Sequence, residues 1–173
     1  MKNRIATLTK KATHGDSVAF GELYSLFSAE MYRYALYHLG SREAALDAVQ
    51  ETALEAFRSI GKLRNEAAVK SWFFGILCNV CKHSLREKYK ADIIPLELCE
   101  DIQADDSDME TALDLAKLIS ELDEQSREIV LLSVVAGYTS KEIAAITGSS
   151  PGTVRSRLSR TLSSLRRQME GEE

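Results

Sequence analysis

Residues 139–165 read TSKEIAAITGSSPGTVRSRLSRTLSSL, and this stretch decides how the chain folds. Thr139 and Glu142 stand at the spacing of a capping box, which opens an α-helix by satisfying its first backbone N–H groups. Gly148 follows as a turn residue. Ser150, followed by a proline, is typical of a second helix start, because proline at the first helical position loses no hydrogen bond. The stretch therefore predicts two short helices joined by a tight turn.

The apolar side chains of this stretch recur at helical spacing and predict one buried face. They are Ile143, Ala144 and Ile146 on the first helix, and Val154, Leu158 and Leu165 on the second. Two such helices joined by a glycine-containing turn form a helix-turn-helix, whose second helix enters the major groove of DNA. Arg155, Arg157 and Arg160 are then expected to point outward, where arginine suits guanine or phosphate. A charged helical hairpin without a ligand is the plain alternative.

Helical periodicity continues upstream, and no segment has the pattern of a strand. Asp16 is predicted to cap the first helix and Ser41 the second, which should stop at Gly61. The inward positions of that second helix are predicted to be Leu46, Val49, Ala53, Phe57 and Ile60. A long helix should follow, with a broad apolar face that includes Trp72. Further helices are predicted to start at Asp108 and Asp123, the latter running through Val134 to Gly137.

The charge distribution divides the chain into parts. The formal charge is −4 overall, but it is +3 over residues 1–98, −9 over residues 99–133 and +2 over residues 134–173. A proline and many acidic residues mark the middle as a linker. The predicted fold class is therefore all-α, with two helical domains joined by a flexible acidic linker. The predicted bounds are 1–92, 93–109 and 110–173.

Composition excludes several classes of protein. A hydrophobic content of 45% is ordinary for a globular protein, and 9 glycines and 2 prolines argue against a turn-rich β fold. The first residues, 1–11, carry no long apolar run, so no secretory signal is predicted. The apolar stretch 72–80 is too short to span a bilayer. These observations predict an intracellular protein.

The three cysteines are too few for a disulfide framework, but Cys78 and Cys81 form a Cys-x-x-Cys pair. His83 and Cys99 could in principle complete a metal site. The pair lies within a helical pattern, however, where residues three apart merely share a face. Packing is the favoured interpretation, with neither metal nor cofactor expected, and a metal or thiol redox protein remains the alternative.

Three segments resemble the extracytoplasmic-function sigma factors, a group of the sigma-70 family that directs bacterial RNA polymerase to promoters. Residues 122–165 are similar to their region 4, most closely in GTVRSRLSR over 152–160. DAVQETALEAFRSI, over 47–60, resembles the region 2 helix that contacts the polymerase. LRNEAAVKSWFFGILCNVCKHSL, over 63–85, resembles the promoter-melting segment. Together these segments make two blocks, region 2 followed by region 4, and two blocks in this order are more specific than a helix-turn-helix alone.

The resemblance implies an alternative sigma factor, not an enzyme, that acts in the cytoplasm without a cofactor or a small-molecule substrate. Its implied partners are promoter DNA and core RNA polymerase, through the beta-prime clamp and the beta flap. An anti-sigma factor, possibly membrane-bound, is a further implied partner. Asp47, Gln50 and Glu51 match the face that docks on the clamp. An ordinary helix-turn-helix regulator is the alternative interpretation, but it does not explain residues 47–85.

The same resemblance assigns residues to the two promoter elements. In region 4, the minus-35 element is read by positions that match Arg155, Ser156, Ser159 and Arg160, while Arg157 is assigned to phosphate. In region 2, the residues assigned to the minus-10 element are Arg64, Asn65, Asn79, Lys82 and Arg86. Asn65 stands where the family often has glycine, which puts the minus-10 preference in doubt. Trp72 is interpreted as a packing residue.

Overall fold

The computed structural model describes residues 2–90 and 109–170, and every regular element in these ranges is helical. The N-terminal half contains α1 (Lys2–Thr13), α2 (Ser17–Leu39), α3 (Arg42–Ser59) and α4 (Val69–Lys90), with 3-10 turns at Ile60–Lys62 and Glu66–Ala68. The C-terminal half contains α5 (Met109–Glu121), α6 (Glu124–Val134), α7 (Ser140–Thr147) and α8 (Pro151–Met169). The all-α prediction is confirmed. The predicted linker, except for its last residue, and the proposed Asp108 cap lie outside the described residues.

Side-chain caps begin the helices where the sequence predicts them. The Asp16 carboxylate accepts a hydrogen bond from the Ala19 N–H at 3.0 Å, and the Ser41 hydroxyl accepts one from Ala44 at 3.3 Å. However, α2 is not the first helix, as Asp16 had suggested. Helix α1 precedes it and packs against α2 with Leu8 buried.

Aromatic rings fill the centre of the N-terminal half. Phe73 is fully buried, and its ring centroid lies 5.9 Å from that of Phe20 and 5.8 Å from that of Phe27. Trp72 packs edge-on against Phe73 at 5.3 Å, which agrees with its interpretation as a packing residue. Rings at these separations add to the stability gained by apolar burial.

The predicted inward face of α3 is wrong at two positions. Leu46 is 44% exposed and Phe57 is 53% exposed. The buried stripe lies beside them and is made of small side chains, which let α3 approach its neighbours closely: Ala45, Ala48, Val49, Thr52 and Ala56. Val134, the last residue of α6, is likewise 64% exposed.

The two halves share one continuous core. Helix α6 packs against α2, and α7 packs against α4. Buried residues from both halves form a single hydrophobic cluster. Every residue from 126 to 132 is buried, including the charged Arg127 and Glu128. The middle of helix α6 is therefore enclosed, between α8 and the N-terminal half, while its two ends are exposed.

His38 lies at this junction as a neutral, buried imidazole. It is 1% exposed, stacks on the Tyr34 ring at 5.3 Å, and neither ring nitrogen has a hydrogen-bond partner in the protein. Burial lowers the pKa of His38 to about 3, and the charges of Arg127 and Lys82 lower it further in the same direction. Protonation of this ring therefore opposes folding.

Acidification is expected to destabilise the protein through His38. Because the folded pKa lies below the unfolded one, the stability is complete above the unfolded pKa and declines as pH falls toward the folded pKa. Between pH 7.5 and pH 5 this group should remove about 2 kcal/mol from the free energy of unfolding. Urea denaturation at both pH values measures the loss.

Two histidine variants isolate this contribution. His38→Phe removes the titrating ring, so its stability should depend less on pH by about the same 2 kcal/mol. His14→Phe alters an exposed histidine and should retain the wild-type dependence. Equal pH dependence in His38→Phe and the wild type would show that His38 is not the buried neutral group described.

Candidate nucleic-acid interface

Helices α7 and α8 form the predicted helix-turn-helix. The Thr139 N–H donates to the Glu142 carboxylate at 2.8 Å, and the Glu142 N–H donates back to the Thr139 hydroxyl, which completes the capping box. Gly148 ends α7 with φ at 69°, a left-handed conformation that glycine adopts without strain. Ser150 caps α8 by accepting from the Thr153 N–H at 3.1 Å. The predicted caps and turn are confirmed.

Polar side chains at the start of α8 form one exposed stripe. The buried side of the unit contains Ile143 and Val154, both 0% exposed, so the opposite side of α8 faces outward. Four residues assigned to the minus-35 element lie there, all exposed: Arg155, Ser156, Ser159 and Arg160. The Arg160 Nε–H donates to the Ser156 carbonyl at 3.3 Å. The stripe thus presents two guanidinium groups and two hydroxyls to a possible ligand.

Arg157 does not point outward with the others, contrary to the expectation. Its guanidinium turns toward the start of α6, where NH1 donates to the Asp123 carboxylate at 3.3 Å and to the Ser126 hydroxyl at 3.2 Å. Burial opposes ionisation of Asp123, but hydrogen bonds from Ser126 and the charge of Arg157 outweigh it and lower its pKa. Arg157 therefore connects α8 to α6 in this structure, and its contact with phosphate stays a prediction.

The residues assigned to the minus-10 element fall into two groups. Arg64 and Asn65 are exposed in the connection before α4, where Asn65 accepts a hydrogen bond from the Ala67 N–H. Asn79, Lys82 and Arg86 share one side of α4 at spacings of three and four. Since Asn79 lies ten residues beyond Val69, the groups are separated by about 15 Å of helix. The structure therefore does not gather all five at one point.

Lys82 differs from the other four in having a buried ionic partner. Its Nζ lies 2.8 Å from Glu128 Oε1, and the Glu128 side chain is only 3% exposed. Oε1 has no hydrogen-bond partner of good geometry, so the contact is an ion pair rather than an aligned hydrogen bond. Helix periodicity does not predict this ion pair, because Lys82 and Glu128 are 46 positions apart and lie in different halves of the chain.

A mixed acidic and apolar surface covers the outer face of α3. Asp47, Gln50 and Glu51 are all exposed there, as expected for a docking face. Beside them lie Leu54, 58% exposed, and Phe57. Sequence reasoning missed the apolar part, although exposed apolar groups rimmed by polar ones mark protein interaction sites.

The cysteine pair lies in the core. Cys78 and Cys81 are 2% and 0% exposed, and the Cys78 thiol donates to the Tyr34 hydroxyl at 3.3 Å. Burial and the charge of Glu128 raise the pKa of Cys78 to about 12, so the reactive thiolate is scarcely populated. His83 is exposed, whereas both cysteines are buried.

Among the residues that the structure describes, there is neither a cluster of metal-binding side chains nor a helix able to span a membrane. Within 2–90 and 109–170, no group of three or more histidine, cysteine or acidic side chains converges closely enough to bind a metal ion. Cys99 lies outside these ranges. None of the described helices combines the length and the apolar character needed to cross a membrane.

Two family descriptions match the chain. Residues 23–91 match Sigma-70 region 2, and residues 112–165 match Sigma-70, region 4. The first range contains α3, α4 and the connection between them, and the second contains the helix-turn-helix. The α8 stripe and the α3 surface described above therefore both fall within matched regions.

Curated relatives match over most of the chain. The ECF RNA polymerase sigma factor SigM of Mycobacterium tuberculosis is 31% identical over 153 residues, which cover 88% of this chain and 78% of the relative. The RNA polymerase sigma factor SigV of Bacillus subtilis is 32% identical over 144 residues, covering 83% and 87%. The solved structure of CnrH, in complex with the cytosolic domain of CnrY, has a TM-score of 0.78 at 23% identity and covers 98% of this chain and 99% of CnrH. The similarity to CnrH, at 23% identity, shows a shared fold.

Proposed function

Because this chain belongs to the extracytoplasmic-function group of the sigma-70 family, it directs promoter-specific initiation of transcription, and we propose that its two halves divide this task between the minus-35 and minus-10 elements. The exposed stripe on α8 is the observation that most strongly supports this proposal. It places Arg155 and Arg160 on the helix that enters the major groove in a helix-turn-helix. Arginine there reads guanine through two hydrogen bonds.

The N-terminal half is proposed to contact the minus-10 element through α4 and the connection before it. Arg64, Asn79 and Arg86 are exposed and have side chains suited to phosphates or to unpaired bases. Trp72 packs on Phe73 rather than projecting as a stacking platform. Polar and cationic contacts are therefore proposed to hold the opened strand.

Core RNA polymerase is the proposed protein partner, bound through two surfaces. The α3 surface, with Asp47, Glu51 and Phe57, suits the beta-prime clamp because it combines acidic groups with exposed apolar area. The beta flap is proposed to bind the C-terminal half, where an apolar cavity of about 650 Å³ opens between α5, α6 and α8. Leu162 and Met169 are partly exposed at its edge.

An anti-sigma factor is a further proposed partner, by analogy with CnrH, which was solved in complex with the cytosolic domain of CnrY. The proposed site of action is the cytoplasm, where core polymerase works. The role requires binding and DNA opening rather than covalent chemistry, so no enzymatic activity is proposed.

Reversing charge on the α3 surface tests the assignment to polymerase. Replacing Asp47 and Glu51 together by arginine should weaken binding to core polymerase by tenfold or more, because like charges would then face the partner that the acidic groups attract. Both positions are exposed, so the fold should be retained. Titration with labelled core polymerase measures affinity, run-off transcription measures function, and circular dichroism checks the fold.

A matched control uses a different acidic surface. Glu22 on α2 and Glu124 on α6 are exposed outside the α3 docking face, and their replacement by arginine should leave polymerase affinity within about twofold. Equal affinity of the Asp47/Glu51 variant and the wild type would show that this face does not dock. Absence of any polymerase binding by the wild type would instead favour an ordinary helix-turn-helix regulator.

A further inference from the structure

We propose that the C-terminal end of α1 and the turn after α3 form an additional DNA contact, which binds backbone phosphates beside the minus-10 strand without reading sequence. The cations of this surface, the α1 patch, are Lys10, Lys11 and Lys62. The inference rests on the proposed function and extends it to α1, which lies before the residues matched to Sigma-70 region 2, 23–91.

Packing assembles the α1 patch from two separate parts of the chain. Helix α1 packs against both 3-10 turns of the connection between α3 and α4. A Cβ at Gly61 would lie 3.8 Å from the Thr13 carbonyl oxygen, so the end of α1 and the Ile60–Lys62 turn are in contact. Lys10 and Lys11 belong to the last turn of α1. The fold therefore brings them to the turn that contains Lys62.

The charges of the α1 patch are available to an anion. All three lysines are exposed, and none forms an ion pair with a carboxylate in the described part of the chain. Of the acidic residues that adjoin the patch in sequence, Asp16 caps α2 with its carboxylate and Glu66 is half-buried. Helix α1 itself has four basic residues and no acidic one, although the whole chain carries a charge of −4. Local positive charge of this kind attracts phosphates whatever the total charge.

Helix stabilisation explains only part of this arrangement. Lys10 and Lys11 lie at the end of α1 where the helix dipole favours cations. Lys62 belongs to another element, and its placement adds a third like charge to the same end of the bundle. Like charges gathered without a carboxylate repel one another, and an anionic ligand removes that repulsion.

The position of the α1 patch identifies DNA as this ligand. Arg64, two residues beyond Lys62, is exposed and is proposed to hold the minus-10 strand. Duplex DNA carries a phosphate about every 3.4 Å on each strand, so a surface about 10 Å wide, the width of one helix, faces about three phosphates. Lysine binds phosphate as a point charge and reads no base. The neighbouring α3 surface is acidic and is proposed to dock on a protein of opposite charge, for which a lysine patch is unsuited.

The salt dependence of promoter binding tests the α1 patch. The triple variant Lys10→Gln, Lys11→Gln, Lys62→Gln, bound to core polymerase, is titrated against a labelled promoter fragment at several salt concentrations. Loss of three phosphate contacts should reduce the slope of log affinity against log salt by about 2–3 in magnitude, and weaken binding at least about tenfold near 0.1 M salt. Because phosphates carry no sequence information, the minus-35 and minus-10 preferences should remain those of the wild type.

Two matched variants serve as controls. Arg4→Gln, Arg33→Gln, Lys117→Gln removes the same charge from exposed positions outside the patch and should change the slope by less than about 1. Replacing the three patch lysines by arginine keeps the charge and should keep the wild-type slope. Circular dichroism checks that every variant is folded.

A wild-type slope in the folded glutamine variant would overturn the inference. Weaker binding of that variant to core polymerase without DNA would also overturn it, because the patch would then contact protein. The proposed function fails separately if the wild-type holoenzyme has no promoter preference, since the salt slopes do not depend on that preference.

Discussion

Replacing Arg127 by methionine is expected to lower the free energy of unfolding by about 3–5 kcal/mol. The guanidinium is 8% exposed and donates to carbonyls at the end of α5 and to His38 of the N-terminal half. The α5 acceptors are the carbonyls of Ile119, Ser120 and Leu122. The last carbonyls of a helix lack intrahelical partners, and although the Ile119 carbonyl also accepts from the Leu122 N–H at 3.3 Å, a cation at this end adds hydrogen bonds and favourable electrostatics. Methionine keeps the length of the side chain but donates no hydrogen bond.

Urea denaturation followed by circular dichroism measures this loss. Arg167→Met is the matched control, because Arg167 is exposed on α8 and its replacement should change stability by less than about 0.5 kcal/mol. If both variants unfold at the same urea concentration, Arg127 does not hold α5 in the way described.

Removing the α8 arginines is expected to relax promoter choice at the minus-35 element. Arg155→Ala and Arg160→Ala should each cost about 1–3 kcal/mol, or roughly 5- to 150-fold, in discrimination at one base pair. Because both side chains are exposed on a helix whose opposite face is buried, truncation should remove the proposed contacts with DNA without leaving a cavity. Selection from randomised promoter libraries in run-off transcription measures the preference of each variant.

Arg157→Ala, on the same part of α8, is expected to behave differently from Arg155→Ala and Arg160→Ala. Because Arg157 bonds to Asp123 and Ser126, its loss should lower the stability of the C-terminal half and reduce output on all promoters alike. An unchanged minus-35 preference in both Arg155→Ala and Arg160→Ala would mean that α8 does not read sequence.

Local chemistry allowed much of this structure to be predicted. Caps such as Asp16, Ser41 and the Thr139–Glu142 box involve residues three apart, so the sequence contains both partners of each hydrogen bond. Helix α1 was not predicted, because the Asp16 cap marks only the helix that follows it. On α3, apolar spacing alone does not show which of two adjacent stripes is buried, the one with Leu46 and Phe57 or the one with the alanines. The alanine stripe is buried because its small side chains permit closer helix packing.

Most of the helices, the helix-turn-helix and the polar stripe of α8 could be predicted from local sequence, because each depends on residues within a few positions of one another. The packed structure was needed to show that Arg157 turns toward Asp123, that Leu46 and Phe57 are exposed, and that the middle of α6 is enclosed. The pairing of Lys82 with Glu128 belongs to the same class. Such contacts join side chains far apart in the chain, and no local pattern distinguishes a buried charge with a distant partner from a solvated one.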